Sequence, residues 1–448
     1  MLKTLKNAWK VADLKNKLLF TLLIVVIYRL GANIPVPFVD ANAFTIATGS
    51  IFQYMDLLSG GALSQATVFA LSVNPYITSS IVMQLLTIAI PALERMSKEG
   101  EEGQKKIKAI TRWVTMALAL VTAYGYTKVL LSGALTFSKA DGFVYYVKFA
   151  SIVACYCAGA CIITWLAEKI DEHGMGNGIS MILFANIVSR VPQLAVRVWG
   201  LVFNNGAFGG FNIWGLLIAL VVLAVMVAII ALIVCVTNSE RRIPIQYAKR
   251  VVGRKMYGGQ GTNLPLKVNM TGVMPIIFAS SIATLPATIT AFFPNVKWLA
   301  NVSNFLSPTS WIYVVLSVLL IVAFSYFYVL ISFNPIEVSN NIRDNGGAVP
   351  GIRPGKPTAD YIKKVLNRIT AIGAIFLCFI ACFPTVVSII AGYFMPESTN
   401  YFSAATIELI AGFAFGGTSI LIVIGVVLET FHQLEAELTM RNYKGFLD

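Results

Sequence analysis

Stretches of about 20 residues without a charged side chain recur along this chain, and that length matches the roughly 30 Å hydrocarbon core of a bilayer. Hydrophobic residues make up 57% of the 448 residues and charged residues only 12%, whereas an average soluble domain is about 25% charged. A water-soluble globular protein is therefore excluded. The pattern predicts an all-α polytopic membrane protein.

The apolar stretches predict ten transmembrane helices. They cover residues 18–35, 74–93, 110–131, 147–166, 179–198, 212–236, 270–293, 311–333, 369–394 and 407–428. Because ten is even, both chain ends lie on the same side of the membrane. A long turn at 203–211 separates an N-terminal half, 1–200, from a C-terminal half, 201–448, with five spans each. This parity permits an inverted repeat with a functional path between the halves.

The distribution of lysine and arginine orients these spans, because basic residues resist translocation whereas acidic residues have little influence. Of the 34 basic residues, 27 lie in the N-terminal segment, the C-terminal tail and the connections on their side. Both termini are therefore predicted to be cytoplasmic.

Between the first two spans, Ser59, Gly60 and Gly61 lead into an apolar stretch, residues 62–71, that is only about 16 Å long if it is helical, which is too short to cross a bilayer. Gly60 and Gly61 supply a hinge at its start. From the residues alone, two interpretations remain open: a re-entrant half-helix that is buried in protein or lines a cavity, and an interfacial helix lying flat on the membrane.

Two long connections, 237–268 and 334–368, lie on the predicted cytoplasmic side together with the tail, 430–448. Alternation between Arg242 and Val252 predicts a short hairpin in the first connection. A basic projection of this kind suits a polyanion such as ribosomal RNA, although positive-inside topology alone also explains the charge.

The glycine-rich runs do not fit nucleotide sites. In GIRPGKPT, 351–358, the glycine spacing of a phosphate-binding loop is one residue short, and Pro357 replaces the hydroxyl that would bind Mg²⁺. GMGNG, 174–178, has no strand before it and no acidic partner for a ribose. The two histidines and the six cysteines in apolar runs indicate neither a metal site nor a disulfide framework. We expect no cofactor, so any energy source is external.

Ionisable residues are scarce within the spans, which is unusual for an ion-coupled transporter. The second and seventh spans instead carry neutral polar side chains, which either line a wet path or bond neighbouring helices. These residues are Asn74, Thr78, Ser79, Ser80, Gln84, Thr271, Ser280, Ser281 and Thr284.

Six motifs follow one another over nearly the whole chain: GGALSQATVFALSVNPYITSSIVMQLL, GMGNGISMILF, YAKRVVGRK, LPLKVNMTGVMPIIFASSI, FNPIEVSNNIRDNGGAVPGIRPG and FGGTSILIVIGVV. In this set and order the chain resembles the SecY family, the channel subunits of the bacterial protein translocase. The resemblance implies two inverted five-helix halves around a central pore, with a short re-entrant plug helix over 60–71. It also implies an apolar pore ring formed by Val73, Ile77, Ile179, Leu183, Ile277 and Ile422.

Two further sites follow from the resemblance. A lateral gate between spans two and three on one side and seven and eight on the other would contain Thr78, Ser80, Gln84, Ser281 and Thr284. A cytoplasmic docking surface for the ribosome and the SecA ATPase would contain Arg250, Arg254, Lys255 and Arg353.

The function implied by the resemblance is a passive, gated channel in the bacterial cytoplasmic membrane and not an enzyme. It would translocate unfolded secretory proteins and release membrane helices sideways into lipid. The implied partners are SecE and SecG, SecA, the ribosome with its RNA, signal peptides, nascent chains and membrane lipid. An ion-coupled solute carrier and an insertase that does not translocate are the alternatives.

Overall fold

The computed structural model describes residues 9–40, 56, 59–130, 142–193, 195–196, 199, 213–247, 250–252, 255–257, 261–292, 298, 310–394 and 404–444. Most of these residues are helical. The helices are α1 Ala12–Gly31, α2 Asn74–Ala89, α3 Pro91–Lys98, α4 Glu101–Leu130, α5 Phe143–His173, α6 Gly178–Val188, α7 Ile213–Thr237, α8 Met274–Phe292, α9 Trp311–Ser332, α10 Pro335–Asp344, α11 Lys356–Phe394 and α12 Ala404–Lys444.

A helix occurs at each of the ten positions where the sequence predicts a span. Among the described residues, five helices are long and apolar enough to cross a membrane, and α2 together with α3 makes a sixth candidate. The polytopic helical class is thus confirmed. The count of ten crossings stays a prediction.

The second predicted span ends earlier than expected, because α2 stops at Ala89 and α3 leaves it at an angle of 100°. The residue between them, Ile90, is extended, with φ −109° and ψ 113°. Pro91 follows Ile90, and the proline ring disfavours the helical conformation of the residue before it. Pro91 therefore encodes the bend in the sequence, although the apolar stretch continues past it and predicts one uninterrupted span over 74–93.

The fifth predicted span is likewise interrupted, since α6 ends at Val188 with Ser189 as its C-cap. Pro192 lies four residues after Val188 and has no N–H to donate to the Val188 carbonyl. As a consequence, Arg190 follows directly after the helix instead of lying within it.

The chain forms two compact units. The first contains Met1–Leu220, Ser280–Val314 and Pro384–Asp448, and the second contains Val221–Ala279 and Val315–Phe383. These boundaries differ from the halves 1–200 and 201–448. The two halves are defined by a predicted inverted repeat of five spans each, and this repeat stays a prediction.

In the second unit the two long connections share a sheet. Its strands are β1 Glu240–Tyr247, β4 Gly261–Lys267 and β5 Gly347–Ala348, and a separate hairpin pairs β2 Arg250–Val252 with β3 Lys255–Tyr257. β1 runs antiparallel to β4 and, at its end, to β5. A hairpin begins at the predicted place, but its second strand lies beyond Val252, because β1 pairs with β4 and not with β2. The sheet gains a third strand from the other connection, β5.

Alternate residues of this sheet face an apolar cluster, as a sheet with one buried face requires. Ile243, Ile245 and Leu266 are buried there with Ile342 of α10 and Ile362 of α11. The cluster fixes both connections on the same core.

The glycine-rich loop 174–178 is a packing junction in the first unit. Three of its amides donate to side chains of three helices: Met175 N to Thr21 Oγ1 (3.0 Å), Gly176 N to Gln433 Oε1 (2.9 Å) and Gly178 N to Asp171 Oδ1 (2.7 Å). A phosphate would need such amides free. The loop therefore joins α1, α5 and α12, in agreement with the sequence argument against a nucleotide site.

Candidate functional site

Residues 60–73, here called the turn segment, lead into α2 without forming a helix. Four of these residues have positive φ: Gly60 (70°), Gly61 (90°), Ala66 (47°) and Ser72 (50°). A right-handed helix cannot include left-handed residues, so the structure corrects the predicted helix over 60–71. The segment is a series of turns closed by backbone hydrogen bonds of different spans, such as Ala66 N to Leu63 O and Thr67 N to Ala62 O.

The first glycine of this segment is required on two grounds. Its φ of 70° is one that other residues rarely adopt, and a Cβ on Gly60 would lie 2.8 Å from Arg29 Nη2 and 2.9 Å from the carbonyl oxygen of Asn186. The predicted pair Gly60 and Gly61 thus marks the change of direction into the turn segment. Whether the pair acts as a hinge stays a prediction.

Apolar side chains of the turn segment are buried against α4 and α5. Leu63, Ala70 and Leu71 belong to one cluster with residues of these two helices, namely Ala119, Ala123, Tyr126, Ile152, Tyr156 and Ala160. The approach is closest at Gly159, where a Cβ would lie 2.0 Å from the carbonyl oxygen of Val68. Small residues on the helices therefore create a seat that fits the backbone of the turn segment.

A second face of the seat is formed by α1. The ring of Phe69 stacks on Tyr28 with 5.5 Å between centroids and 4° between planes. The same ring lies over Gly31, where a Cβ would be 2.3 Å from Phe69 Cε2. Glycine at position 31 thus leaves the space that this aromatic ring occupies.

The chain just after α1 also pairs with the turn segment. Val36 N donates to the Ala66 carbonyl at 3.1 Å, and Val68 N donates to the Ile34 carbonyl at 2.9 Å. These bonds satisfy backbone groups that would otherwise be unpaired in an apolar setting.

Buried polar side chains complete the seat. Tyr126 donates its hydroxyl to the Leu63 carbonyl at 2.5 Å, and Tyr28 donates to Asn186 Oδ1 at 2.8 Å. Asn186 Nδ2 in turn donates to Ser72 Oγ at 3.2 Å. Sequence reasoning did not single out these residues. An amide inside an otherwise apolar helix was the signal available for Asn186.

The structure buries most of the predicted pore ring. Val73, Ile77, Leu183 and Ile422 in the first unit and Ile277 in the second are buried, and Ile179 is half-buried. Val73 ends the turn segment and serves as N-cap of α2. A shared constriction of the six side chains stays a prediction.

Of the predicted gate residues on α2, Thr78 bonds within its own helix, donating to the Asn74 carbonyl at 3.0 Å. Its neighbour Ser79 is the one that joins helices, since it is buried and donates to the Thr111 carbonyl of α4 at 2.9 Å. Ser80 is half-buried, and Gln84 keeps a buried Oε1 without a partner among the described residues. Ser79 thus bonds two helices, which is one of the two interpretations left open by the sequence, and a wet path along α2 stays a prediction.

The remaining predicted residues are only partly described. Ser281 is half-buried in α8, and the side chain of Thr284 lies outside the described residues. Arg250 and Lys255 are described only by their backbone, in β2 and β3, and Arg254 lies outside the described residues. Arg353 is exposed just before α11, and its carbonyl accepts a hydrogen bond from Thr358 Oγ1 at 2.8 Å.

Comparison with known proteins decides the family. The SecY family model matches residues 67–431. The protein translocase subunit SecY of Streptomyces scabiei is 42% identical over 463 aligned positions, which cover all of both chains. The corresponding subunit of Corynebacterium glutamicum is 38% identical and covers 98% of this chain and 99% of its own. This chain belongs to the SecY family.

Solved structures share the SecY fold. A protein-conducting channel matches with a TM-score of 0.59 at 18% identity, covering 94% of this chain and 92% of its own. A Sec61 chain from the canine ribosome-channel complex of the endoplasmic reticulum matches with a TM-score of 0.55 at 16% identity, again covering 94% and 92%. Another SecY protein with the same TM-score of 0.59 has a plug domain that stabilises the closed state of its channel and maintains a membrane seal.

The SecY family match begins at Thr67, inside the turn segment, and includes every predicted ring, gate and docking residue. Gly60 and Gly61 precede it, although the alignment with the Streptomyces relative covers them. The seat contacts at Gly159, Tyr126 and Asn186 were found only from the structure.

The close approach at Gly159 predicts that Gly159→Ala destabilises the seat. A Cβ there would overlap the Val68 carbonyl, so the turn segment or α5 must shift; overpacking of this kind costs about 1–3 kcal/mol. We expect a lower midpoint of thermal unfolding in detergent. Ala158→Ser, at the exposed neighbouring position, is the control and is expected to unfold as the unchanged protein does. Equal midpoints for both variants would contradict the tight seat.

Proposed function

We propose that this chain is the channel subunit of a bacterial protein translocase, through which unfolded secretory proteins cross the cytoplasmic membrane. The observation that carries the proposal is the turn segment, a non-helical stretch with its own seat among membrane helices. Irregular backbone at membrane depth is tolerated only where it is buried in protein or lines an aqueous cavity. The full-length likeness to subunits named protein translocase subunit SecY supports the same function.

In this proposal the turn segment is the plug, and the six predicted ring residues form the constriction above it. A pore that passes chains of any sequence cannot offer specific polar contacts, because each of them would retain some substrates. Flexible aliphatic side chains fit around a moving chain, and when the pore is empty an apolar constriction excludes ions by dewetting.

The proposed lateral gate lies between α2 and α4 on one side and α8 and α9 on the other. Transfer free energies would then sort the substrate: a central leucine or isoleucine favours lipid by about 0.3–0.6 kcal/mol, and a central aspartate, lysine or arginine opposes it by about 2.5–3.5 kcal/mol. Summed over a segment, these terms separate secreted stretches from membrane helices.

The proposed energy source lies in partners that dock on the two basic connections. The shared sheet of β1, β4 and β5 supports these connections, and exposed Arg353 lies beside it in sequence. The Sec61 relative in a ribosome-channel complex supports the ribosome as one partner. SecA is proposed as the ATPase, SecE and SecG as companion subunits, and both termini as cytoplasmic.

Reconstitution tests this function against the rival solute carrier. The chain is placed in lipid vesicles with SecE, SecG, SecA, ATP and a preprotein. We expect the preprotein to become protected from added protease in the vesicle lumen, and only when ATP is present. Counterflow of a small solute by the chain alone, with no protected preprotein, would instead establish a carrier.

The ring assignment predicts the effect of Ile77→Asn and Ile422→Asn. A polar side chain at the constriction would hold water, so we expect a higher ion conductance at rest and export of preproteins with defective signal peptides. Planar-bilayer conductance and the vesicle assay measure the two effects. Val82→Asn, on the exposed face of α2, serves as the matched control. A ring variant that behaves like this control would contradict the assignment.

The docking assignment predicts that Arg353→Glu blocks SecA-driven export while the protein stays folded. The exposed side chain of Arg353 can change its charge without disturbing the core, but a carboxylate would repel an acidic docking partner. Export and preprotein-stimulated ATP hydrolysis are measured together. Lys363→Glu makes the same charge change at another exposed position and should leave both rates near normal. Normal coupling in the Arg353 variant would contradict the docking role.

A further inference from the structure

An ion pair reaches the start of the turn segment from a distant part of the chain. The carboxylate of Asp56 bonds Nη2 of Arg190, and the same nitrogen donates to the backbone carbonyl of Asp56 at 3.1 Å. Only 9% of the Asp56 side chain and 21% of the Arg190 side chain are exposed. Arg190 holds this position because α6 ends at Val188.

Asp56 also accepts hydrogen bonds from the turn segment and from the residue just before it. Its Oδ1 accepts a hydrogen bond from Ser64 N at 2.7 Å, and its backbone carbonyl accepts from Gly61 N at 3.0 Å and from Ser59 Oγ at 2.9 Å. One residue therefore receives bonds both from the guanidinium of Arg190 and from the first turns of the segment. Moving the turn segment away from its seat would have to strain or break these bonds.

The charges around the pair are unbalanced, which makes the aspartate the more sensitive partner. Arg29 lies within electrostatic reach of Arg190, and its Nη2 is 3.4 Å from the Asn186 carbonyl oxygen. Two guanidinium groups thus lie near the start of the turn segment, Arg29 beside Gly60 and Arg190 beside Gly61. Neutralising Asp56 leaves Arg190 facing the like charge of Arg29 without its carboxylate partner, whereas neutralising Arg190 removes one of the two like charges.

An ion pair in such a site suits a reversible contact better than a permanent one. A partly buried pair gains much of its energy from mutual attraction, and losing one partner leaves an uncompensated charge. When water enters and both groups move apart, each is solvated again, so the separated state is tolerated. An apolar contact has no comparable compensation on separation.

We propose that Asp56 and Arg190 form a latch that holds the turn segment in its seat and thereby sets how strong a signal sequence must be to open the channel. The inference rests on the proposed function of the chain as a translocation channel. It assigns the two residues as positioning residues that act through the turn segment, without contact to the transported chain.

The latch is tested with Asp56→Asn and Arg190→Gln, singly and together, in the full chain with SecE and SecG. Asparagine keeps an oxygen for Ser64 N and replaces the charged oxygen that faces Arg190 with an uncharged amide nitrogen. We expect each single variant to raise the resting ion conductance and the export of a preprotein with a charged residue in its signal core. An increase of about tenfold corresponds to about 1.4 kcal/mol between the closed and displaced turn segment. The increase should be larger for Asp56→Asn.

The double variant distinguishes a latch from two separate effects. If the residues act as a pair, the double variant should show about the effect of the larger single variant and not the product of both. Multiplicative effects, or single variants with unchanged conductance, would overturn the latch. Glu437→Gln removes the Lys17–Glu437 ion pair (2.9 Å) elsewhere in the same unit and should leave conductance unchanged.

Two further readouts keep the test independent of folding and of the proposed function. Thermal unfolding in detergent is measured for every variant, and if Asp56→Asn does not fold, the conductance of Arg190→Gln alone decides. Conductance at rest requires neither SecA nor a preprotein. Failure of the unchanged protein to export an intact preprotein would therefore contradict the proposed function, whereas an unchanged conductance in folded variants contradicts the latch.

Discussion

Backbone N–H and C=O groups that lie away from water must be hydrogen-bonded, and this requirement determines how the turn segment is held in the first unit. A helix satisfies these groups with its own hydrogen bonds, but the turn segment between α1 and α2 is not helical, so its backbone groups need partners from other segments. Val36, Ile34 and the hydroxyl of Tyr126 provide several of them. The rest of the first unit is arranged so that these partners stand where the turns need them.

Small residues are what allow the partners to come close. Gly31 leaves space for the ring of Phe69, and Gly159 lets α5 touch the backbone of Val68. Glycine inside a helix weakens it by about 0.5–1 kcal/mol relative to alanine, and here the loss is offset by contact that a Cβ would prevent. The shape of the seat therefore depends on the missing Cβ atoms of Gly31 and Gly159 as well as on the side chains that contact the turn segment.

The turn segment is held by apolar packing together with a small number of polar contacts. Apolar packing is non-directional, whereas hydrogen bonds and ion pairs fix one geometry. When these polar contacts break, their donors and acceptors can bond to water instead. Asn186 bonds the end of the segment through Ser72, and Asp56 bonds its beginning. The seat therefore has defined polar contacts at both ends of the turn segment. The sheet in the second unit shows the opposite design, with both connections fixed on a continuous apolar cluster.

Much of the helical framework could be predicted from sequence, because a bilayer demands apolar stretches of a set length and such stretches are visible locally. The bend at Ile90 and the end of α6 were also encoded locally, in Pro91 and Pro192, although hydropathy reads through them. The hairpin near Arg242 followed from alternation, but its pairing with β5 did not, because that strand comes from another connection.

The character of the site was decided by tertiary structure. Alanine and serine rarely adopt a positive φ, so nothing in the sequence indicated the left-handed conformation of Ala66 and Ser72. The apolar segment was therefore predicted as a helix, whereas in the structure it forms turns that fit the close contacts of its seat. Asp56 and Arg190 are 134 residues apart, and neither belongs to a motif that suggests the other. Sequence by itself determined which stretches are apolar and long enough to be predicted as membrane spans, since that depends on transfer free energy summed along the chain. Only the folded chain decided which charges and glycines meet, since that depends on contacts between segments that are distant in sequence.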